Sequence, residues 1–85
     1  MIEVYYYPEF KKSSKKYREY QVIIKKKILL FIKDPFNKSL KTHKLSGNLS
    51  GYWSFSVNYH LRIMFEFVDG KTVGFVDIGT HGIYR

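Results

Sequence analysis

The chain lacks cysteine, has only two prolines and holds seven acidic residues against fifteen basic ones. Without cysteine there is neither a disulfide scaffold nor a cysteine-based zinc finger. The longest hydrophobic run is Ile28–Ile32, five residues, whereas a membrane-spanning helix needs about 18. No cationic segment precedes an apolar stretch after Met1, so the sequence predicts no signal peptide. We therefore expect a cytoplasmic protein without a membrane partner.

What the chain does contain is enough apolar material for one small core. Its 85 residues are 45% hydrophobic and 19% aromatic. A domain of this size hides only about 60% of its unfolded surface, so it depends on a rich core. We expect a single domain over residues 1–85.

The positive charge is unevenly distributed along the sequence. Residues 1–45 hold 11 Lys and one Arg against four acids, whereas residues 46–85 hold three basic and three acidic residues. The whole excess of +8 therefore lies in the first half. A polyanion such as RNA is one partner that such a charge favours; solvation of exposed helix faces explains it equally well.

Periodicity predicts an α+β fold with the order β-α-α-β-β-β, in which two N-terminal helices pack on one face of a small, mainly antiparallel sheet. The loop over 36–48 is rich in Asn, Ser, Thr and Gly, and Asp69-Gly70 is a strong hairpin signal. The predicted elements are strand 2–7, helix 9–17, helix 19–33 and strands 49–57, 60–68 and 72–78.

The candidate chemistry rests on three histidines, His43, His60 and His81. Their separations of 17 and 21 residues do not fit a metal site, and we predict no metal or cofactor. His60 and Arg62 lie two apart in one predicted strand, so they are expected on the same face. Histidine can accept or donate a proton near neutral pH, and arginine can bind a phosphate through two hydrogen bonds. Both properties suit the cleavage of a phosphodiester. Ordinary surface histidines are the alternative.

Four segments give the chain a family resemblance: residues 40–45 (LKTHKL), 51–56 (GYWSFS), 61–65 (LRIMF) and 75–81 (FVDIGTH). With the length, the basic helices and the strand order, they resemble the RelE/ParE toxin superfamily, and within it the YafQ-like mRNA interferases. The Ile-Gly-Thr-His ending is the sharpest marker. The resemblance covers essentially the whole chain and implies a RelE-like fold.

The resemblance implies a toxin of a bacterial type II toxin–antitoxin system that cuts ribosome-bound mRNA without metal. In such enzymes the 2′-hydroxyl attacks the adjacent phosphate. By position, His81 is the expected general acid, and His43 the general base or a phosphate ligand. Arg62 is expected to stabilise the pentavalent phosphate. Tyr84 resembles the family's C-terminal aromatic residue, which stacks on a base.

The chain departs from the family pattern at two of these positions. His60 stands where relatives often have an acidic residue, so it is either an alternative base or a neutral surface residue. Tyr84 follows His81 by three residues, whereas the family aromatic commonly follows by four. Lys41 and Lys44 flank His43, and we expect them to contact RNA.

The partners implied are a cognate antitoxin, forming a heteromeric complex, and mRNA with ribosomal RNA. An acidic antitoxin segment that folds along the toxin would suit the charge of +8. A ParE-like toxin that binds and poisons DNA gyrase is the alternative function. An inactive relic that retains only RNA binding is the third.

Overall fold

The computed structural model describes residues 1–84, and its regular elements are short strands and helices joined by tight turns. The strands are β1 (Glu3–Tyr6), β2 (His43–Lys44), β3 (Trp53–Ser56), β4 (Arg62–Phe67) and β5 (Thr72–Gly79). The α-helices are α1 (Pro8–Ser14) and α2 (Gln21–Lys33). Single 3₁₀ segments cover Lys15–Tyr20, Lys38–Leu40, Gly47–Leu49 and His81–Tyr84.

Proline and the apolar periodicity set the two helices. Pro8 occupies the first turn of α1, where its missing N–H leaves no hydrogen bond unmade. The chain kinks at Tyr17, whose φ of −117° and ψ of 44° are not helical. After the kink, Ile24, Ile28 and Phe31 recur at helical spacing and are the buried residues of α2. Asp34 ends that helix ahead of proline.

The sheet has five strands in the order β1-β5-β4-β3-β2. β1 pairs with β5 in parallel, and the other three pairings are antiparallel. A bulge between Met64 and Phe65 shifts the register of β4 against β5. Because β5 and β3 finish at the end of the sheet where β4 and β2 start, four strands present their termini there together.

The core lies between α2 and one face of the sheet. The Phe31 ring stacks on Phe55 with a centroid distance of 4.5 Å, and meets Phe65 and Phe75 edge-on at 4.8 and 5.6 Å. All four rings are completely buried. Since side chains alternate along a strand, Ser54 and Met64 point to the opposite face, which is called the open face below.

The α+β class and the mainly antiparallel sheet confirm the prediction, with corrections to its details. The predicted loop over 36–48 contains the extra strand β2, which is only two residues long. The predicted first helix ends three residues early, because the α-helix gives way at Lys15 to a 3₁₀ segment that is kinked at Tyr17. The predicted strand 49–57 shrinks to Trp53–Ser56, since Gly47–Leu49 forms a 3₁₀ turn. β4 starts at Arg62 rather than at residue 60.

Candidate active site at one end of the sheet

Two rows of residues cross the strands at the end of the sheet where four strands present their termini. One row pairs Ser56 with Arg62, and Arg62 with Gly79. The next row pairs His43 with Ser54, Ser54 with Met64, and Met64 with Asp77. Directly opposed residues have Cβ atoms about 4.5–5.5 Å apart, so these rows bring distant parts of the sequence into one place.

The tail after β5 places His81 and Tyr84 together at the same end. Residues His81–Tyr84 form a 3₁₀ turn, with the Ile83 N–H donating to the Thr80 carbonyl at 3.1 Å. A 3₁₀-helix has three residues per turn, so side chains three apart eclipse each other. The Tyr84 ring accordingly meets the His81 ring edge-on, with centroids 5.0 Å apart. The separation of three residues between His81 and Tyr84 therefore matches the three residues per turn of this 3₁₀ segment.

Tyr84 docks the tail onto the open face. Its hydroxyl shares a hydrogen bond with the Ser54 hydroxyl, across 30 residues of sequence. Ser54 is completely buried although it is polar, and such a group needs a partner. Ser54 is also the cross-strand neighbour of His43, so this register pair and the contacts Ser54–Tyr84 and Tyr84–His81 link the two histidines.

Gly79 allows the tail to make this return. A methyl group built on Gly79 would lie 2.5 Å from Cγ2 of Ile83. That separation is too short for two carbon atoms, so a larger side chain at this position requires the Ile83 side chain to move. The absence of a side chain at Gly79 therefore lets Ile83 of the 3₁₀ turn pack directly over the end of β5.

The loop before β2 orients the His43 ring. Nδ1 of His43 lies 2.9 Å from the Lys41 carbonyl oxygen. A carbonyl oxygen only accepts hydrogen bonds, so Nδ1 must be the donor, and neutral His43 keeps its free lone pair on Nε2. The loop is anchored by Leu40, which is completely buried, and by the Thr42 hydroxyl, which donates to the Pro35 carbonyl. Since His43 is exposed, its Nε2 is available to a substrate.

Arg62 lies at the same end of the sheet but lines a separate cavity. This cavity of about 350 Å³ also has Lys27 and Lys41 in its wall. Nε of Arg62 is buried, and none of the residues from 1 to 84 offers it a hydrogen-bond partner. Arg62 pairs with Gly79, two residues before His81 in sequence, and the cavity residue Lys41 holds the His43 ring through its carbonyl group. Neither histidine lines the cavity itself.

Two of the predicted site residues take other positions. His60 precedes β4, so the alternation that would place it beside Arg62 does not apply. It is exposed in a turn where the Asn58 side chain accepts from its N–H, and its ring contacts Tyr59 rather than His43 or His81. This position favours the interpretation of His60 as a neutral surface residue over the interpretation that it is an alternative base.

Lys44 follows His43 in β2 and therefore points to the opposite face. Its ammonium group lies 5.7 Å from the centre of the Trp53 ring, a cation–π contact. Lys41 remains on the side of His43, because it holds the ring and lines the cavity. The predicted pair of RNA-contacting lysines is thus divided between two faces.

The sequence analysis missed two residues of this site. Ser54 stands in a run of alternating residues that says nothing about a partner 30 positions away. Lys27 is half-buried, whereas its neighbours Lys25 and Lys26 in the same basic run are exposed. The helical period contains the signal, because Lys27 lies three residues after Ile24 and therefore beside the apolar stripe.

Among residues 1–84, no three side chains of His, Asp or Glu come together in a way that could hold a metal ion. No helix in that range is both long and apolar enough to cross a membrane.

Known structures share this architecture, although no family model and no curated protein matches the sequence. The match to YafQ from E. coli strain BL21(DE3) has a TM-score of 0.81 at 20% identity, and covers 99% of this chain and 98% of that one. YafQ in the E. coli DinJ–YafQ complex matches with a TM-score of 0.78 at 22% identity, over 98% and 97% of the two chains. YoeB from Staphylococcus aureus matches at 0.69 and 25% identity, over 94% and 97%.

The chain therefore has the fold of the RelE/ParE toxin superfamily, as the resemblance of its motifs predicted. Its architecture is YafQ-like, since both YafQ structures superimpose over nearly the whole of each chain.

Proposed function

We propose that this protein is the toxin of a type II toxin–antitoxin system and that it cleaves mRNA without a metal ion. The observation that carries the proposal is the linked group His43–Ser54–Tyr84–His81, with Arg62 at the same end of the sheet. Cleavage of RNA by its own 2′-hydroxyl needs a base, an acid and a cation. This end of the sheet holds one of each.

In the proposed reaction, Nε2 of His43 takes the proton from the 2′-hydroxyl. The 2′-oxygen then attacks the adjacent phosphorus, and the bond from phosphorus to the 5′-oxygen breaks. His81 gives its proton to that departing oxygen, and a 2′,3′-cyclic phosphate remains on the upstream product. Arg62 stabilises the charge that collects on the phosphoryl oxygens.

Tyr84 has two roles in this proposal. It holds the His81 ring edge-on, and it offers its remaining ring surface to a nucleobase exposed by the single strand. Its hydroxyl is occupied by Ser54, so we assign it no proton transfer.

The partners proposed follow from the charge and from the structural relatives. A net charge of +8 favours messenger and ribosomal RNA. E. coli YafQ is found in a DinJ–YafQ toxin–antitoxin complex and S. aureus YoeB in a YoeB–YefM complex. We propose a comparable antitoxin for this chain.

The three histidines provide an internal control for the test. The new 5′ ends of a translated message, and of the same purified RNA incubated with the protein in EDTA, are then mapped by primer extension in magnesium buffer. His43→Ala and His81→Ala should each slow cleavage by roughly 10²–10⁴-fold, whereas His60→Ala should leave it nearly unchanged. New 5′ ends only on the translated message would show that the ribosome is required.

Equal cleavage by all three variants would reject the roles assigned to the histidines. Two other outcomes would reject the nuclease itself. One is intact RNA together with DNA breaks and an SOS response, which would favour the gyrase-poisoning toxin. The other is RNA binding without cleavage of any message, which would indicate the inactive relic.

A further inference from the structure

The cavity beside Arg62 gathers positive charge from three separate parts of the chain. Lys27 comes from α2, Lys41 from the loop before β2 and Arg62 from the start of β4. None of its eight lining residues is acidic, and Ser39 and Ser56 add hydroxyl groups to its wall. Placing three cations side by side is unfavourable unless an anion compensates for them.

Two details indicate that this cavity is formed for a ligand. Nε of Arg62 is buried without a hydrogen-bond partner among the described residues, and such donors are costly to leave unpaired. Lys41 has a φ of 53°, the only positive φ of a non-glycine residue between residues 1 and 84. That conformation costs a side-chain-bearing residue roughly 1–2 kcal/mol, and strain of this kind concentrates at functional sites.

The position of the cavity relative to the two histidines defines which part of an RNA would enter it. Lys41 lines the cavity and also holds the His43 ring through its carbonyl group. His81, in contrast, follows β5 on the far side of Arg62. In the proposed reaction, His43 faces the 2′-hydroxyl of the upstream nucleotide and His81 faces the downstream product.

We propose that Lys27, Lys41 and Arg62 form a binding site for the RNA phosphate one position upstream of the cleaved bond. The assignment of the site to the upstream rather than the downstream phosphate rests on the proposed nuclease function. Its affinity for RNA does not. The site would bind the 5′ phosphate of the attacking nucleotide and so align its 2′-hydroxyl. Arg62 would contact both this phosphate and the phosphate of the cleaved bond. Through Lys27, α2 would take part in binding the RNA phosphate.

The test compares Lys27→Gln with Lys26→Gln, a neighbouring lysine of α2 that is exposed and outside the cavity. The probe is a short single-stranded RNA with a 2′-deoxy sugar at the cleaved nucleotide, so that it binds without reacting. Lys27→Gln should weaken binding about tenfold, the effect of one charged hydrogen bond. It should also reduce the slope of log affinity against log salt by about 0.7. Lys26→Gln should change both values much less.

A single neutral methylphosphonate locates the contact. Placed one position upstream of the cleaved bond, it should weaken binding to the wild type more than binding to Lys27→Gln, which has already lost one of the three cations; placed one position downstream, it should weaken both equally. Equal effects of the two lysine variants would overturn the proposed site, and so would a smaller effect of the downstream methylphosphonate on Lys27→Gln than on the wild type, because Lys27 would then contact the downstream phosphate. If the unmodified RNA is never cut while Lys27→Gln still weakens binding relative to Lys26→Gln, the nuclease function fails and the phosphate site stands.

Discussion

The hydrogen bond between Tyr84 and Ser54 supports a sharp prediction, because it joins the tail that carries His81 to a completely buried residue of the sheet. Tyr84→Phe removes the phenolic oxygen and keeps the ring against His81. Ser54 remains completely buried, and its hydroxyl then lacks the partner that the tail supplied.

The magnitude follows from the burial of the two groups. A buried hydroxyl left unpaired costs about 1–3 kcal/mol, so we expect Tyr84→Phe to lower the free energy of unfolding by that amount. For a domain of this size, about 1 kcal/mol corresponds to roughly 4–8 °C in Tm. Ser54→Ala should cost less, about 0.5–1.5 kcal/mol, because Tyr84 is only half-buried and its freed hydroxyl reaches water.

The assay is a double-mutant cycle by thermal and urea unfolding. With both hydroxyls removed, neither group is left unpaired, so the double variant should be more stable than the sum of the single effects implies, by about 0.5–3 kcal/mol. Strict additivity, or a Tyr84→Phe variant that melts with the wild type, would show that the tail does not dock on Ser54. The proposed placement of His81 would then lose its support.

Three further predictions concern the core, the loop and the sheet. Phe31→Ala should destabilise the fold by about 3–5 kcal/mol in urea unfolding, because it removes the ring packed against three others; a loss below 1 kcal/mol would contradict this packing. Lys41→Gly should raise Tm relative to Lys41→Ala, since only glycine relieves the positive φ, while both variants weaken RNA binding; equal Tm values would mean that no strain is stored there. The hydrogen bond from the Tyr7 hydroxyl to Glu66, 2.9 Å long, raises the pKa of Tyr7, and desolvation adds to the effect. The stabilisation from that raised pKa is complete below about pH 10, the ordinary tyrosine value, and is lost as pH rises through the folded value. Ultraviolet titration of wild type against Tyr7→Phe should show the late-titrating phenol, and Glu66→Gln should return it towards the ordinary range.

The accuracy of the sequence-based interpretation depends on how local each signal is. The apolar spacing of α2 and the Asp69-Gly70 turn involve neighbours in sequence, and both elements are present, although α2 begins at Gln21 and not at the predicted residue 19. β2 was missed because two residues of strand have no period of their own, and only pairing with β3 makes them a strand. The placement of His60 was wrong because the Asn58 side chain accepts from the N–H groups of His60 and Leu61 and so delays β4.

The candidate site shows the same division. Its motif residues were identified one by one from their segments, but the separation of Lys44 from His43 required the register of β2. The contribution of Lys27 required the approach of α2 to the start of β4. Neither the separation of Lys44 from His43 nor the contribution of Lys27 can be inferred from one segment of the sequence taken alone.

The sequence by itself determined the α+β class, the absence of any cysteine chemistry and the residue types that acid–base cleavage needs, because these follow from composition and from patterns between near neighbours. Tertiary structure alone decided which of those residues meet. The link from His43 through Ser54 and Tyr84 to His81 spans the second half of the chain. It exists because strand pairing and a 3₁₀ turn over Gly79 bring together groups whose separation in sequence carries no information about their distance in space.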